Sequence, residues 1–316
     1  VVSVVIANSL HLEVVRGLIE AGKHVLCEKP LSDTLASARK MVDLARGASS
    51  VVRIGLTYRR QPGVAAIRDW IQDGTLGRVL HFSGRYWCDY GTDPTTPIAW
   101  RYKGPMGSGA LADLGSHLTY LSEFLCGEIT TVSGGAFATA IKERPVPLGA
   151  VVGHGLAAVS DRKETVENDD YAAFTAFFGE TRGSLEVSRV AAGCPNGLDF
   201  EVFCENGAAS FHQDTPSQVR LYLNGDHPGR NGYRTVNLGS DHPYVAGGMP
   251  IDVSGVGFGQ NEGFTYQARA FLEEVAGIPE EESLPRNASF DEGVHNMEIL
   301  AAVARSAADN GKQVNL

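Results

Sequence analysis

His24-Val25-Leu26-Cys27-Glu28-Lys29-Pro30 is a short apolar run that ends on two charges and a proline. It reads as a strand, because apolar residues suit a packed sheet and a proline at the end stops the ladder. Upstream, Leu12, Val15, Leu18 and Ile19 recur at helical spacing after the cap-competent Asn8-Ser9, with a stop at Gly22. Before them, Val1-Val2-Ser3-Val4-Val5-Ile6-Ala7 has the pattern of a strand buried on both faces. Downstream, Ser32 or Asp33 can cap a helix carrying Leu35, Ala38, Met41, Val42 and Ala45, closed by Gly47. Val51-Val52-Arg53-Ile54-Gly55-Leu56 then reads as a third strand, running into Thr57-Tyr58-Arg59-Arg60. Strand, helix, strand, helix, strand predicts βαβ units in a right-handed, doubly wound parallel sheet. Ligands of such sheets sit outside the carboxyl ends of the strands, here Ala7-Asn8, Glu28-Lys29-Pro30 and Thr57-Tyr58-Arg59.

A dinucleotide-binding sheet of this kind opens with a strand, G-x-G-x-x-G and a helix. The first strand here reads as the fourth of such a fold. The expectation is that the first half, two βα units of roughly 30 residues each, belongs in front of Val1. Gly153-His154-Gly155-Leu156-Ala157-Ala158 matches the relaxed fingerprint, but no helical stripe follows it, so a loop is predicted. Gly255-Val256-Gly257-Phe258-Gly259 lacks a preceding strand and is also read as a loop.

After a helix over 63–72 the pattern changes at Gly77. Strands are predicted over 79–90, 132–138, 171–178, 182–190, 198–204, 208–212 and 219–223, with Asn206-Gly207 as a hairpin turn. Helices over 262–276 and 291–308 complete the chain. The expected organisation is the C-terminal half of a Rossmann-type α/β domain over residues 1–60, and an α+β domain with a large, mainly antiparallel open sheet over 61–316. A broad sheet has an outer face to cover, so homo-oligomerisation through it is expected.

Within that second domain lies Gly107-Ser108-Gly109-Ala110-Leu111-Ala112-Asp113-Leu114-Gly115-Ser116-His117. Leu114, Leu118, Leu121 and Leu125 describe one apolar stripe of a helix, stopped at Gly127. Asp113 and His117 fall one turn apart beside that stripe. A carboxylate so placed can orient an imidazole and stabilise its protonated form, the equipment of a general base. The same spacing also suits a solvated i,i+4 pair. The glycines allow close approach of backbone to a ligand, or a tight lead-in to the helix.

With 37 acidic against 27 basic residues, the net charge of −10 argues against nucleic acid or an anionic membrane as partner. The five cysteines form no C-x-x-C, which argues against a zinc site or disulfide framework. No second His or carboxylate stands at ligand spacing near Asp113 and His117, so no metal is expected. No apolar run is long enough for a membrane span, and no secretory leader is expected. The expectation is a soluble cytoplasmic protein.

Glu28-Lys29-Pro30 at a strand end, Trp100-Arg101, and Gly107-x-Gly-Ala-Leu-x-Asp113-x-Gly-Ser-His117 together resemble the glucose–fructose oxidoreductase/inositol dehydrogenase (Gfo/Idh/MocA) family of nicotinamide-dependent sugar oxidoreductases. Asn231-Gly232-Tyr233-Arg234-Thr235-Val236, His242-Pro243-Tyr244 and Gly257-Phe258-Gly259 look like its levoglucosan dehydrogenase branch. The resemblance implies NAD or NADP as cofactor and a small sugar or polyol as substrate. The oligomer expected through the C-terminal-domain sheet is a homodimer or homotetramer.

Residue by residue, Lys29 matches the family's catalytic lysine, a compact cation able to stabilise a developing alkoxide. His117 matches its general base, and Asp113 the carboxylate that binds substrate and supports the histidine. Ala7, Asn8, His11, Glu28, Lys29 and Pro30 match segments that line the cofactor, with Arg59, Trp100 and Arg101 near it. Tyr58, Cys88 and Trp100 join Lys29, Asp113 and His117 toward substrate. Plainer readings stay open: helix capping for Asn8, a first-turn surface residue for His11, packing for Tyr58 and Trp100, a brace for Arg59. Thr57 stands where relatives often carry Asn, and Cys88 where the branch carries a longer polar residue. A thiol is a poor partner for a sugar hydroxyl, which leaves the sugar open. Two other functions fit the same scaffold: an NAD-dependent glycosidase, and a non-catalytic sugar or nucleotide sensor.

Overall fold

In chain order the elements are β1 (Val2–Val4), α1 (His11–Glu20), β2 (Val25–Glu28), α2 (Leu35–Arg46), β3 (Val52–Gly55), α3 (Pro62–Gln72) and β4 (Val79–Trp87). Next come α4 (Ser116–Cys126), β5 (Thr131–Ala138), β6 (Glu143–Pro147), β7 (Val159–Thr165), β8 (Tyr171–Phe178), β9 (Thr181–Ser188) and β10 (Gly197–Cys204). The chain ends with β11 (Gly207–His212), β12 (Gln218–Leu223), β13 (Arg234–Asn237), α5 (Gln260–Val275), α6 (Phe290–Ala308) and β14 (Val314–Asn315). The computed structural model describes residues 1–151, 157–225, 227, 229–239, 242 and 259–316. The glycine-rich stretches at 153–156 and 255–258, and Pro243-Tyr244, lie outside the described residues.

Two compact units divide the chain: Val1–Val79 with Val202–Glu298, and Leu80–Glu201 with Ile299–Leu316. The first unit takes in residues 61–79 and 202–298 together with the parallel sheet. Tyr266 and Ala270 of α5 bury against Ala65 and Leu284, and Ile54 N–H donates to the Ala288 carbonyl.

In the first unit β1, β2 and β3 form a parallel sheet in that order, with Val4, Val25, Cys27, Val52 and Ile54 in its core. The helices α1 and α2 pack on each other, burying Val15, Ala38 and Met41. Within β1 Val4 is buried at 2% exposure, while Val5, just past the strand, is 69% exposed. β11, β12 and β13 form an antiparallel ladder in this unit, with α3 against β11 and β12.

In the second unit β4, β9, β8, β5 and β14 are sheet neighbours in that order. All these pairs are antiparallel except β4–β9, which runs parallel with Trp87 opposite Ser188. α4 packs on β9 through the predicted stripe: Leu114, Leu118, Leu121 and Leu125 are buried, and Gly127 ends the helix at a φ of 90°. Burying four leucines contributes on the order of 2 kcal/mol each. The hairpin β6–β7 is absent from the sequence reading. Val159–Thr165 is largely exposed on both faces, so it carries no alternation to read.

Candidate active site

At the carboxyl ends of β1 and β2, the fold sorts side chains into those turned inward and those left at the surface. His11 is turned inward and fully buried. Its Nδ1 lies 3.1 Å from the Leu31 carbonyl and its Nε2 3.2 Å from the Ile6 carbonyl. It therefore ties the loop after β1 to the loop after β2 and is not the first-turn surface residue that its position suggested. Cys27 Sγ lies 3.4 Å from the same ring, and burial, with the Glu28 charge, pushes its thiol well up.

Glu28 also turns back. Its Oε2 accepts the Lys29 backbone N–H at 3.1 Å, and its Oε1 occupies the space beside Gly55, where an alanine Cβ would come within 2.9 Å. Burial raises this carboxyl above the ordinary glutamate value, against the lowering pull of the Lys29 N–H and charge. Its stability contribution is therefore fully present below the unfolded-state value near pH 4.5 and lost as pH rises through the folded-state value. Glu28→Gln keeps an oxygen for Lys29 N–H and removes the buried acid. It should raise Tm by on the order of 2 °C at pH 7–8. That gain should shrink toward pH 4.5 in a melting series.

Accessible at these tips are Ile6, Ala7, Ser9 and Leu10, with Asn8, Lys29 and Pro30 partly exposed. Ligands of parallel sheets bind outside such carboxyl ends, where Lys29 offers a cation. After β3, Tyr58 is buried and its hydroxyl accepts from Gln260 Nε2 at 3.1 Å. Thr57 Oγ1 donates to Gln267 Oε1 at 2.9 Å, and Arg59 pairs with Glu292 at 3.5 Å. Both the Tyr58 and the Arg59 contacts anchor this segment to α5 and α6.

The second unit holds the predicted Asp113 and His117. Asp113 lies in a π-helical turn, Leu111–Gly115, that leads directly into α4 and His117. Single π turns widen the helix by one residue and are frequent at functional sites. The Asp113 carboxylate accepts from the Tyr90 hydroxyl at 2.8 Å. The His117 ring lies 6.0 Å from that of Tyr86, centroid to centroid, and the Tyr86 hydroxyl donates to Asn196 Oδ1 at 2.7 Å. Cys88 is buried, with its thiol 3.9 Å from the same Asn196 oxygen.

The glycines before the π turn wrap an internal anion. Asp169 Oδ1 accepts from Gly107 N–H at 2.8 Å and Gly109 N–H at 3.0 Å, and its Oδ2 accepts from Leu111 N–H at 2.8 Å. The Asp169 carbonyl also accepts from Ala110 N–H at 2.9 Å. Successive backbone N–H groups make an anion cradle, and here the anion belongs to the chain itself.

The neighbours of Asp169 extend the clamp. Arg189 Nε donates to Asp170 at 2.8 Å and Nη2 to Asn168 at 2.8 Å, with all three residues buried. Arg189 Nη1 and Asn168 Nδ2 both donate to the Arg101 carbonyl. The turn Trp100–Tyr102 is held again at Tyr102, whose ring has the Arg144 guanidinium at 4.1 Å and that of Arg189 at 4.5 Å. Trp100 is 55% exposed, with the Arg101 guanidinium 4.4 Å over its ring. Tyr90, Asn168, Asp169, Asp170, Arg189 and Asn196 escaped the sequence reading. Among the described residues, no group of three His, Cys, Asp or Glu side chains is placed to hold a metal ion.

Comparison with known proteins fits this geometry. Residues 1–56 match a family model described as an oxidoreductase family, NAD-binding Rossmann fold, and residues 64–210 match the GFO/IDH/MocA C-terminal domain. Levoglucosan dehydrogenase from Pseudarthrobacter phenanthrenivorans is 33% identical over 98% of this chain and 78% of its own length. A structure of levoglucosan dehydrogenase in complex with NADH and levoglucosan superposes with a TM-score of 0.86 at 31% identity, covering 99% of this chain and 79% of that one. An inositol dehydrogenase homologue from Azotobacter vinelandii, complexed with NADH and myo-inositol, shares the fold with a TM-score of 0.80 at 23% identity, over 99% of this chain and 77% of that one. With strand tips, glycine clamp and π turn arranged in this way, and similarity running along nearly its whole length, the chain belongs to the GFO/IDH/MocA family of NAD-binding oxidoreductases.

Proposed function

We propose that this oxidoreductase is a NAD(P)-dependent dehydrogenase of a secondary hydroxyl on a cyclic polyol: a monosaccharide, an anhydrosugar or an inositol. The observation that carries the reading is the π turn that presents Asp113 and leads into His117, each seated against a tyrosine of the β4 segment. Similarity to levoglucosan dehydrogenase supports the substrate class. His117 takes the hydroxyl proton, and Asp113 supports the imidazolium that results. Lys29 donates to the substrate oxygen and stabilises its developing negative charge. When bound, the nicotinamide accepts hydride from the alcohol carbon.

Ala7, Asn8, Glu28, Lys29 and Pro30, with Arg59, Trp100 and Arg101, are the residues proposed toward the cofactor. His11 serves it from within by bracing the two loops. Tyr58, Cys88 and the exposed Trp100 are proposed toward substrate, the indole as a wall for an apolar sugar face. The functional halves are taken as residues 1–60 and 61–316. The accessible face of the second-unit sheet is proposed to join copies into a dimer or tetramer, and a cytoplasmic location is part of the same proposal.

The test is a turnover screen of the native polypeptide over inositols, aldoses and anhydrosugars with NAD and NADP, read by absorbance of the reduced cofactor. Polyol-dependent reduction is the expected result. Release of a glycone without net reduction, or cofactor binding without turnover on any member of the panel, would overturn the proposal.

A further inference from the structure

Past Trp87 the chain leaves β4 but keeps its pairing with β9. Cys88 N–H donates to the Ser188 carbonyl at 2.7 Å, Ala191 N–H to the Cys88 carbonyl at 2.9 Å, and Gly91 N–H to the Arg189 carbonyl at 2.8 Å. These bonds hold the backbone on both sides of Tyr90. Side chains alternate along an extended segment, so Tyr86 and Cys88 share one buried face, and Tyr90 follows in the turn closed by Thr92 N–H on the Asp89 carbonyl. Tyr86 meets His117 from β4 and Tyr90 meets Asp113 from the turn that follows it, so each proposed reacting group has its own aromatic neighbour on this segment.

We propose that Tyr90 is a positioning residue for the reaction, its hydroxyl fixing the Asp113 carboxylate that supports His117. The inference rests on the dehydrogenase reading above and deepens it. A phenol is suited to this task. It has one proton to give, its ring is stiff about two torsions, and in this site the proton stays on. Burial and then the Asp113 charge push the Tyr90 hydroxyl well above its ordinary value, against the opposing pull of Arg189, with Cys88 the remaining titratable neighbour. The hydroxyl therefore remains a donor throughout the working pH range. A hydrogen bond from a neutral donor to a carboxylate favours its charged form and selects one rotamer. A loosened carboxylate would cost rate through geometry, since about 1 Å of misplacement can cost about 100-fold.

Tyr90→Phe removes one oxygen and keeps the ring, and two measurements on the native polypeptide test it. The first is steady-state kinetics: kcat should fall about 10- to 100-fold while KM for the cofactor is unchanged. The second is a carbon-13 titration of the Asp113 side-chain carboxyl, assigned with Asp113→Asn, in which the variant should titrate about one pH unit higher. An unmoved titration would show that Tyr90 does not govern the carboxylate and would overturn the inference. A moved titration with unchanged kcat would overturn the role in the reaction. A parent that turns over no polyol would sink the dehydrogenase reading and this role with it, and the titration would then report only the Tyr90–Asp113 coupling.

Discussion

His117→Ala and Lys29→Ala should each lower polyol-dependent cofactor reduction by about 10²- to 10⁴-fold, with the fold intact. The two losses have different origins and separate experimentally. In the proposed chemistry His117 supplies a proton acceptor, so added imidazole should restore part of the His117→Ala rate, and it should do nothing for Lys29→Ala. Lys29 is proposed to supply a compact cation on a strand tip, so Lys29→Arg, which keeps the charge but spreads it over a planar fork, should rescue poorly. Neither change removes core: Lys29 and His117 are both partly exposed. Melting temperatures close to the parent's are therefore expected, because substitutions away from the core usually move stability by less than about 0.5 kcal/mol. Unaltered turnover in both variants would dispose of the proposed chemistry.

Residues became legible in the sequence when they carried local periodicity. The three parallel strands, the helices between them and the α4 stripe all announce themselves through spacing, because burial on one side imposes a repeat. The π turn does not. Leu114, Leu118, Leu121 and Leu125 keep helical spacing whether the turn before them closes with four residues or five, so the bulge under Asp113 leaves no mark in the pattern. The Asn168-Asp169-Asp170 cluster is hidden for a different reason. Consecutive polar and acidic residues read as a solvated loop, and only long-range partners reverse that: Arg189 lies 19 residues beyond Asp170, and the Gly107–Leu111 amides about 60 before Asp169. His11 follows the same rule, since its two carbonyl partners belong to loops that the fold alone brings together. The alternatives left open for the glycines, a ligand cradle or a tight lead-in, merge in the structure: they cradle Asp169 and lead into the turn.

Gly109→Ala should be the most damaging single-methyl change in the glycine clamp, lowering stability by about 3 kcal/mol or more. The backbone at Gly109 has no positive φ, unlike Gly107 at 92°, so conformational preference alone would rank Gly107→Ala as the worse of the two. Space reverses that order. A Cβ on Gly109 would stand 2.1 Å from the Asp169 carbonyl oxygen and 2.9 Å from its amide nitrogen, whereas one on Gly107 would meet Ala304 Cβ at 3.2 Å. Both contacts at Gly109 are backbone atoms of a segment pinned by Asn168 and Asp170, so neither can swing away as a side chain would. Relief requires the loop to lift off Asp169, and that breaks the N–H bonds from Gly107, Gly109 and Leu111 to a buried carboxylate, each worth about 1.5–3 kcal/mol because the acceptor is charged. The loop carries the π turn, so kcat should fall with stability in Gly109→Ala. Gly107→Ala should lose about 1–2 kcal/mol to its left-handed backbone and retain most of its turnover. Thermal melts and kcat of the two variants, measured side by side, decide the matter: if Gly107→Ala proves the more destabilised, the clamp is held by backbone conformation and not by close contact with Asp169.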